Sequence, residues 1–285
     1  MMKKVLITGK NSYIGNAFAE WISGKYDIDY ISCRTDEWKG ISFSDYDIIF
    51  HVAGIAHVST DPNMEAQYYK VNRDLTTALA RKAKSEGVKQ FIFMSSIIVY
   101  GDSSFSNKKC IITTNTKPQP ANFYGNSKLQ AEEGIVPLQD NSYNVVVIRP
   151  PMIYGKNSKG NYPRLVQMAQ KLPIFPDVDN ERSMIHIDNL CEFILLMIEN
   201  EEHGTFYPQN AEYVKTSTMV KLIAEAHGKK MRLTKLANPL LSLLGKKIGM
   251  VNKAFGNLVY EKSMSAYKEK YCLRNLEQSI QLTEI

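Results

Sequence analysis

The chain has 285 residues, a net charge of +6 at pH 7, and a composition that is 44% hydrophobic and 22% charged. That composition is ordinary for a globular protein and argues against a fibrous, disordered or membrane-embedded class. The length suits one large domain with a smaller appendage. No basic stretch is interleaved with aromatic residues, so nucleic acid is not expected as a partner. The four cysteines are scattered and form no Cys-x-x-Cys pair, which favours a reducing cytoplasmic location and no metal site.

The chain opens with a strand, a glycine turn and a helix. Residues 3–8 form an apolar run that enters the turn TGKNSYIG at 8–15, and residues 16–23 have helical periodicity. Such a turn places backbone N–H groups and the positive end of a helix against a pyrophosphate. Ser12 occupies the middle position of the Gly-x-x-Gly-x-x-Gly spacing. Serine is small enough for a close approach, although it tolerates a positive φ less well than glycine.

The second predicted strand, residues 26–33, ends at the position that determines whether a dinucleotide-binding fold prefers NAD or NADP. An acidic residue at this point favours NAD, whereas an arginine favours the 2′-phosphate of NADP. Arg34 follows the strand directly and Lys10 in the glycine turn is a second cation, but Asp36 lies close by. We therefore expect NADP(H) or NAD(H), with NADP(H) favoured.

Strands and helices then alternate along the chain. Apolar runs at 47–54, 89–96 and 143–149 predict buried strands, and residues 65–85 predict a long helix between the first two. This alternation is typical of an α/β fold with a doubly wound parallel sheet.

Small or polar residues stand at the ends of these strands. Ala53 and Gly54 end one strand, Ser95 and Ser96 end the next, and Pro150 follows the third. Because the carboxyl ends of parallel strands share one edge of the sheet, we expect these residues to face the same crevice as the glycine turn.

Tyr124 and Lys128 lie one helical turn apart in a helix that is predicted to begin near Phe123. A free tyrosine has a pKa of about 10, and a nearby ammonium group lowers that pKa by stabilising the phenolate. Such a pair can move a proton to or from a sugar or steroid hydroxyl. Tyr-x-x-x-Lys also occurs by chance on solvated helix faces, so it gains weight only from its setting.

Beyond residue 155 the alternation loosens. Residues 182–190 are expected to return to the main sheet as a strand and the start of a helix. The apolar stretch 236–251 is too short and too interrupted to span a bilayer, and we interpret it as core or as a dimer face. The expected division is a nucleotide-binding domain from 1–155 and 183–205, and a smaller substrate-binding domain from 156–182 and 206–285.

With these pieces placed, the chain resembles the extended short-chain dehydrogenase/reductase superfamily, in its NAD-dependent epimerase/dehydratase branch. The resemblance covers nearly everything to about residue 200 and rests on landmarks that occur in a fixed order. They are Thr8-Gly9 to Gly15, the HVAG run at 51–54, Asn72, Ser96 to Gly101, Tyr124 to Lys128, and Arg182 to Leu190.

The resemblance implies a Rossmann-like NAD(P)-binding domain and a role for individual residues. Ser96 would hydrogen-bond the reacting hydroxyl or carbonyl, Tyr124 would be the acid/base, and Lys128 would lower the pKa of Tyr124 and hold the nicotinamide ribose. Arg182 and Asn161 would bind the diphosphate of the substrate. The cofactor-binding set would be Gly9, Ser12, Tyr13, Ile14, Gly15, Arg34, Ala53, Gly54, Lys128 and Pro150.

The implied reaction is hydride transfer at C4 of a nucleoside-diphosphate hexose, a UDP-sugar, for surface polysaccharide synthesis. Epimerase and 4-ketoreductase both remain open, because they need the same three catalytic residues. A dehydratase is not expected, since Ile97 and Ile98 stand where that group carries Asp-Glu. Met152 replaces the asparagine of an Arg-x-x-Asn segment found in many epimerases, and the surrounding run is closer to bacterial 4-ketoreductases.

The resemblance also implies a homodimer, formed through the helix from Glu65 and the helix near Tyr124. A different class of function is a non-catalytic NAD(P)-binding sensor or scaffold, because fold alone does not give function. The presence of Ser96, Tyr124 and Lys128 together favours the enzyme.

Overall fold

The computed structural model describes residues 2–55, 61–103, 110–239, 241, 252 and 254–285. It contains two compact units. The first unit comprises 1–101, 117–150 and 190–208, and the second comprises 102–116, 151–189 and 209–285.

The strands and helices, in chain order, are as follows. The strands are β1 (Lys4–Thr8), β2 (Asp27–Ile31), β3 (Ile48–His51), β4 (Gln90–Met94), β5 (Ile111–Ile112), β6 (Asn144–Ile148), β7 (Met152–Tyr154), β8 (Ile174–Pro176), β9 (Met184–His186), β10 (Gly204–Phe206), β11 (Arg232–Thr234) and β12 (Val259–Tyr260). The helices are α1 (Tyr13–Trp21), α2 (Glu65–Tyr68), α3 (Leu75–Ser85), α4 (Phe123–Ile135), α5 (Tyr162–Lys171), α6 (Ile187–Glu199), α7 (Thr216–Ala226) and α8 (Leu276–Glu284).

The first unit is built on a six-stranded sheet in the order β10-β6-β4-β3-β1-β2, with every neighbouring pair parallel. The sequence reversal at β1 and β3 makes the sheet doubly wound, so the predicted α/β fold is confirmed. The central strands β3 and β4 are buried along their whole length, as expected when helices cover both faces of a parallel sheet. One side of this core packs sheet residues such as Phe91 and Val145 against Leu79 of α3 and Ala131 of α4.

The predicted helix 65–85 is interrupted. α2 and α3 are joined by a π-helical segment, Tyr69–Asp74, which contains the buried Asn72. π-helical turns inside helices are frequent at functional sites, and this one places the Asn72 side chain among the residues described below.

The predicted return of residues 182–190 to the main sheet is wrong. β9 pairs instead with β7 in a separate two-stranded sheet, with Met152 opposite Met184. The sixth strand of the main sheet is β10, which pairs with β6.

The second unit contains three two-stranded parallel sheets, β5 with β12, β7 with β9, and β8 with β11. Its apolar core includes Tyr154 of β7, Leu165 of α5, Val220 of α7 and Ile280 of α8. Because β5 pairs with β12 and β9 pairs with β7, residues 102–116 and 183–189 belong to the second unit.

No helix among the described residues is both long and apolar enough to cross a membrane. Most of the apolar stretch 236–251 lies outside the described residues.

Candidate active site

The glycine turn joins β1 to α1 and is shaped by tight packing. Gly9 has a φ of 91°, and a Cβ there would lie 3.0 Å from the backbone N of Ala53. A Cβ on Gly15 would come within 2.5 Å of Ser12 Oγ. Both positions therefore need glycine, one for its backbone angle and both for space.

Ser12 caps the amino end of α1, a role that the sequence analysis did not assign to it. Its φ is −73° and its Oγ accepts a hydrogen bond from the Gly15 N–H at 2.9 Å. The concern that serine would resist a positive φ does not arise, because the residues of this turn with a positive φ are Gly9 and Asn11. Serine is among the preferred N-cap residues, so the substitution of the middle glycine strengthens the helix start.

The turn fits a dinucleotide. α1 begins at Tyr13, directly after the turn, so Tyr13 and Ile14 form the first turn of a helix whose positive end lies at the carboxyl end of β1. The N–H groups of Gly9 and Lys10 donate to the Ile31 carbonyl at the end of β2, which ties the turn to the strand that precedes Arg34.

Arg34 is exposed beyond the end of β2. The nearby acidic candidate, Asp36, instead bonds to Lys39 at 2.8 Å, and that interaction lowers the pKa of its carboxyl group.

Asn72 hydrogen-bonds the segment that follows β3. Its Oδ1 accepts from the Ile55 N–H at 2.8 Å, and its Nδ2 donates to the Ile55 carbonyl and to Ser127 Oγ, at 3.2 and 3.0 Å. A Cβ on Gly54 would lie 3.0 Å from Asn72 Oδ1 and 3.2 Å from Lys128 Nζ. Gly54 is thus held directly against the candidate catalytic lysine.

Tyr124 is the second residue of α4. The helix is capped by Asn122, whose side chain accepts from the Gly125 N–H at 3.0 Å, and a Cβ on Gly125 would lie 2.8 Å from the Ile98 carbonyl. This close packing brings Tyr124 to the segment that follows Ser96. The two side chains are close enough for Ser96 to act on the Tyr124 phenol.

The pKa of Tyr124 is raised to about 12, chiefly by burial, while the Ser96 side chain opposes the shift. Lys128 is not among the groups that lower this pKa in the geometry seen here, and its effect on Tyr124 stays a prediction. The physical reason is that the Lys128 Nζ donates to the Met94 carbonyl at 2.9 Å and lies 4.7 Å from the centre of the Phe93 ring.

Lys128 is almost wholly buried, with 6% of its surface exposed. Burial lowers its pKa to about 8, and the Glu132 carboxylate, one turn further along α4, opposes that shift. A lysine in this environment changes charge near the physiological range.

His51, at the end of β3, was not among the predicted site residues. Its Nδ1 lies 2.6 Å from Thr8 Oγ1 and its Nε2 lies 2.8 Å from Thr76 Oγ1. The Thr76 hydroxyl donates to the Asn72 carbonyl, so it accepts from His51. The proton is thus assigned to Nε2, and Thr8 donates to Nδ1.

Burial, with the nearby Lys128 charge, lowers the pKa of His51 to about 3 and keeps the ring neutral. The signal available in the sequence was a histidine at the end of an otherwise apolar strand.

The predicted substrate residues lie in the second unit. Arg182 exchanges two backbone hydrogen bonds with Val214, and its Nη1 lies 3.4 Å from the Ala254 carbonyl. Burial lowers its pKa to about 10, so the guanidinium stays charged at neutral pH. Asn161 is exposed immediately before α5.

The parallel sheet and the glycine turn that leads into α1 are those of an α/β protein with a dinucleotide-binding fold. A sequence model of the NAD dependent epimerase/dehydratase family matches residues 5–208, and the chain belongs to that family. It is an NAD(P)-dependent epimerase or reductase.

Two relatives illustrate the similarity. The chain is 31% identical over 252 residues to a UDP-glucose 4-epimerase of Vibrio cholerae, which covers 79% of this chain and 76% of the relative. It is 26% identical over 295 residues to the N-acetyl-alpha-D-glucosaminyl-diphospho-ditrans,octacis-undecaprenol 4-epimerase of Escherichia coli O157:H7, over 95% of this chain and 86% of the relative.

Solved structures share the fold at lower identity. A human epimerase family protein with NADPH has a TM-score of 0.76 at 16% identity, over 99% of both chains. The UDP-glucuronic acid 4-epimerase of Bacillus cereus, in complex with NAD, has a TM-score of 0.74 at 17% identity, over 99% of this chain and 95% of that one.

Proposed function

We propose that this enzyme acts at C4 of a nucleoside-diphosphate hexose, with Tyr124 as the acid/base. The observation that carries the proposal is the close packing of the start of α4 against the segment after Ser96, with Tyr124 and the buried Lys128 one turn apart on that helix. A bound nicotinamide would supply or accept the hydride.

The other roles in the reaction belong to Tyr124, Ser96 and Lys128. Tyr124 moves the proton on the C4 oxygen, and Ser96 hydrogen-bonds the same oxygen, which stabilises the charge that develops there. Lys128 holds the ribose hydroxyls of the cofactor with its ammonium group. Moving the ammonium from the Met94 carbonyl towards the phenol would also lower the pKa of Tyr124 from about 12.

The substrate class follows from the second unit and from the relatives. A guanidinium that remains charged suits a diphosphate, which it can bind with two parallel hydrogen bonds, so Arg182, with Asn161, is proposed to bind this group. The printed activities of the two bacterial relatives, on UDP-glucose and on a lipid-linked diphospho-sugar, support a UDP-sugar and a role in surface polysaccharide synthesis.

Epimerisation and 4-keto reduction both fit these residues. Ile97 and Ile98, which follow Ser96, offer no carboxylate for the elimination of water, so a dehydratase is not proposed. Epimerase activity has the support of the relatives. Reductase activity has the support of Arg34, since a cofactor that must leave after each turnover is commonly NADPH.

We further propose a cytoplasmic homodimer that uses α3 and α4, and a preference for NADP(H) through Arg34. Arg34→Ala should weaken NADPH binding by about tenfold and NADH binding by less than twofold, because only NADPH carries the phosphate that a guanidinium binds. Equal losses for the two cofactors, measured by fluorescence titration, would remove this assignment.

The reaction itself is tested with UDP-hexoses that carry deuterium at C4. An epimerase inverts C4 and keeps the deuterium there. A reductase leaves these sugars unchanged and oxidises NADPH when given a UDP-4-keto sugar. Exchange of the deuterium with water, or inactivity in both assays across a panel of nucleotide sugars, would contradict the proposal.

A further inference from the structure

A buried ion pair lies behind the candidate catalytic residues. Glu132 is one turn beyond Lys128 on α4, and Arg149 directly follows β6. Arg149 Nε lies 3.1 Å from each carboxylate oxygen of Glu132, and its Nη2 makes a further bond to Oε2. The two residues are only 4% and 8% exposed. Burying two charges is costly unless further hydrogen bonds satisfy them, so the remaining partners of this pair are informative.

Those partners include Ser95 and Tyr100, and the Arg149 guanidinium carbon also lies 5.8 Å from the centre of the Tyr207 ring. The Ser95 hydroxyl donates to Glu132 Oε1, and Arg149 Nη1 donates to Tyr100 Oη at 2.6 Å. The Arg149 guanidinium carbon also lies 5.2 Å from the centre of the Tyr100 ring. The ion pair is therefore hydrogen-bonded to both ends of one short segment, residues 95–100.

Ser96 lies inside that segment. The backbone N–H groups on either side of it are also fixed: that of Ser95 donates to the Ile148 carbonyl at 2.8 Å, and that of Ile97 donates to the Pro150 carbonyl at 2.9 Å. Ser96 itself has an extended backbone and begins the 3-10 turn Ile97–Tyr100. Its orientation is thus determined from both directions along the chain.

We propose that Glu132 and Arg149 are positioning residues, which act through Ser95 and Tyr100 to hold the Ser96 hydroxyl against Tyr124. This inference rests on the proposed function of Ser96 and Tyr124. It assigns a task in turnover to a pair that would otherwise serve only to fill the core of the first unit.

Removing one hydroxyl at a time tests the proposal without breaking the ion pair. Ser95→Ala and Tyr100→Phe should each lower kcat by about tenfold, because a small misplacement of a reacting group is expensive. The KM for the sugar and the dissociation constant of the cofactor should change by less than about twofold. Ser96→Ala should lower kcat by about a hundredfold, the usual effect of deleting one such hydrogen-bond donor.

The decisive comparison is the double-mutant cycle. If Ser95 acts through Ser96, then Ser95→Ala has no further effect on kcat in the Ser96→Ala background, and the same holds for Tyr100→Phe. Additive losses of kcat in both cycles would overturn the proposal, because the loss of a merely structural role would lower kcat whether or not Ser96 is present. Tyr143→Phe is the matched control: its buried hydroxyl donates to the Ala80 carbonyl in the same unit, and its loss should leave kcat unchanged.

A readout that needs no substrate separates this proposal from the proposed function. In protein labelled with ¹³Cζ-tyrosine, the Tyr124 signal is the one absent from Tyr124→Phe. Ser95→Ala and Tyr100→Phe should move that signal in the same direction as Ser96→Ala, since each changes the position of the Ser96 hydroxyl relative to the phenol. An unmoved signal would overturn the positioning role even if the enzyme is active. A moved signal in a protein inactive on every nucleotide sugar would leave the positioning role standing and contradict only the proposed reaction.

Discussion

Each unit carries one cation proposed to bind a ligand, Lys128 or Arg182, and the two cations are held differently. Lys128 in the first unit is fixed by the Met94 carbonyl and the Phe93 ring, and its pKa falls to about 8. Arg182 in the second unit is fixed mainly through its backbone, and its pKa falls only to about 10.

The difference between the two pKa values indicates what each cation can do. A lysine near its own pKa responds to the charge of whatever binds beside it, which suits a group that tunes a phenol. An arginine that stays charged at all physiological pH values is a permanent site for an anion. The first unit therefore has a lysine whose charge can change during a reaction, and the second has an arginine that binds an anion without changing its own charge.

Replacing Lys128 should have the largest effect. Lys128→Met is expected to lower kcat by about a thousandfold, because the acid/base loses the cation that can lower its pKa. The same change should stabilise the fold at pH 7 by roughly 3 kcal/mol, since the cost of burying the charge disappears.

The sign of that stability change can be checked against pH. The pKa of Lys128 is about 8 in the folded protein and 10.5 in the reference state, so the cost is fully present below pH 8 and is relieved as the pH rises towards 10.5. Urea unfolding should show the advantage of Lys128→Met shrinking over that range. Lys25→Met, at an exposed position, is the control. A variant that is destabilised at pH 7 would show that Lys128 is a structural cation.

Replacing Arg182 should have a different signature. Arg182→Met is expected to raise the KM for a nucleoside-diphosphate sugar by about tenfold to a hundredfold, the value of a charge-assisted hydrogen bond. The effect on kcat should be much smaller than that of Lys128→Met. Initial-rate kinetics at saturating cofactor measure both, with Arg232→Met as an exposed control in the same unit. A loss confined to kcat would reverse the comparison between the two cations.

The smallest effect concerns His51, the neutral group beside Lys128. Its pKa is about 3 when folded and 6.5 in the reference state, so its contribution to stability is complete above pH 6.5 and is lost progressively as the pH falls towards 3. At pH 5 the loss is about 2 kcal/mol. His51→Gln should flatten this part of the curve of unfolding free energy against pH, whereas His203→Gln, at an exposed position, should not. An unchanged acid limb would mean that His51 is not the group that titrates.

The first unit could be predicted well because its signals are local. The strand, turn and helix from β1 to α1, and the start of α4 near Phe123, depend on residues a few positions apart. The order of the landmarks then indicated the parallel sheet and the approach of Ser96 to Tyr124.

The remaining features depend on contacts between distant residues. β9 and β10 are both short, and nothing local says which of them joins β6. Likewise, Ser95 meets Glu132 across 37 positions and Thr8 meets His51 across 43. The direction of the Tyr124 pKa shift was missed for the same reason: the Tyr-x-x-x-Lys spacing does not reveal that the Lys128 ammonium is bonded to the end of β4.

The most direct test of the account is Tyr124→Phe, measured for turnover and for cofactor binding in the same preparation. The loss of one hydroxyl should lower kcat by about a thousandfold, while the dissociation constant of NAD(P)H stays within about twofold of that of the unaltered enzyme, because the glycine turn and Lys128 remain. Turnover that is unchanged in Tyr124→Phe would contradict the assignment of this tyrosine as the acid/base, and with it the proposed mechanism.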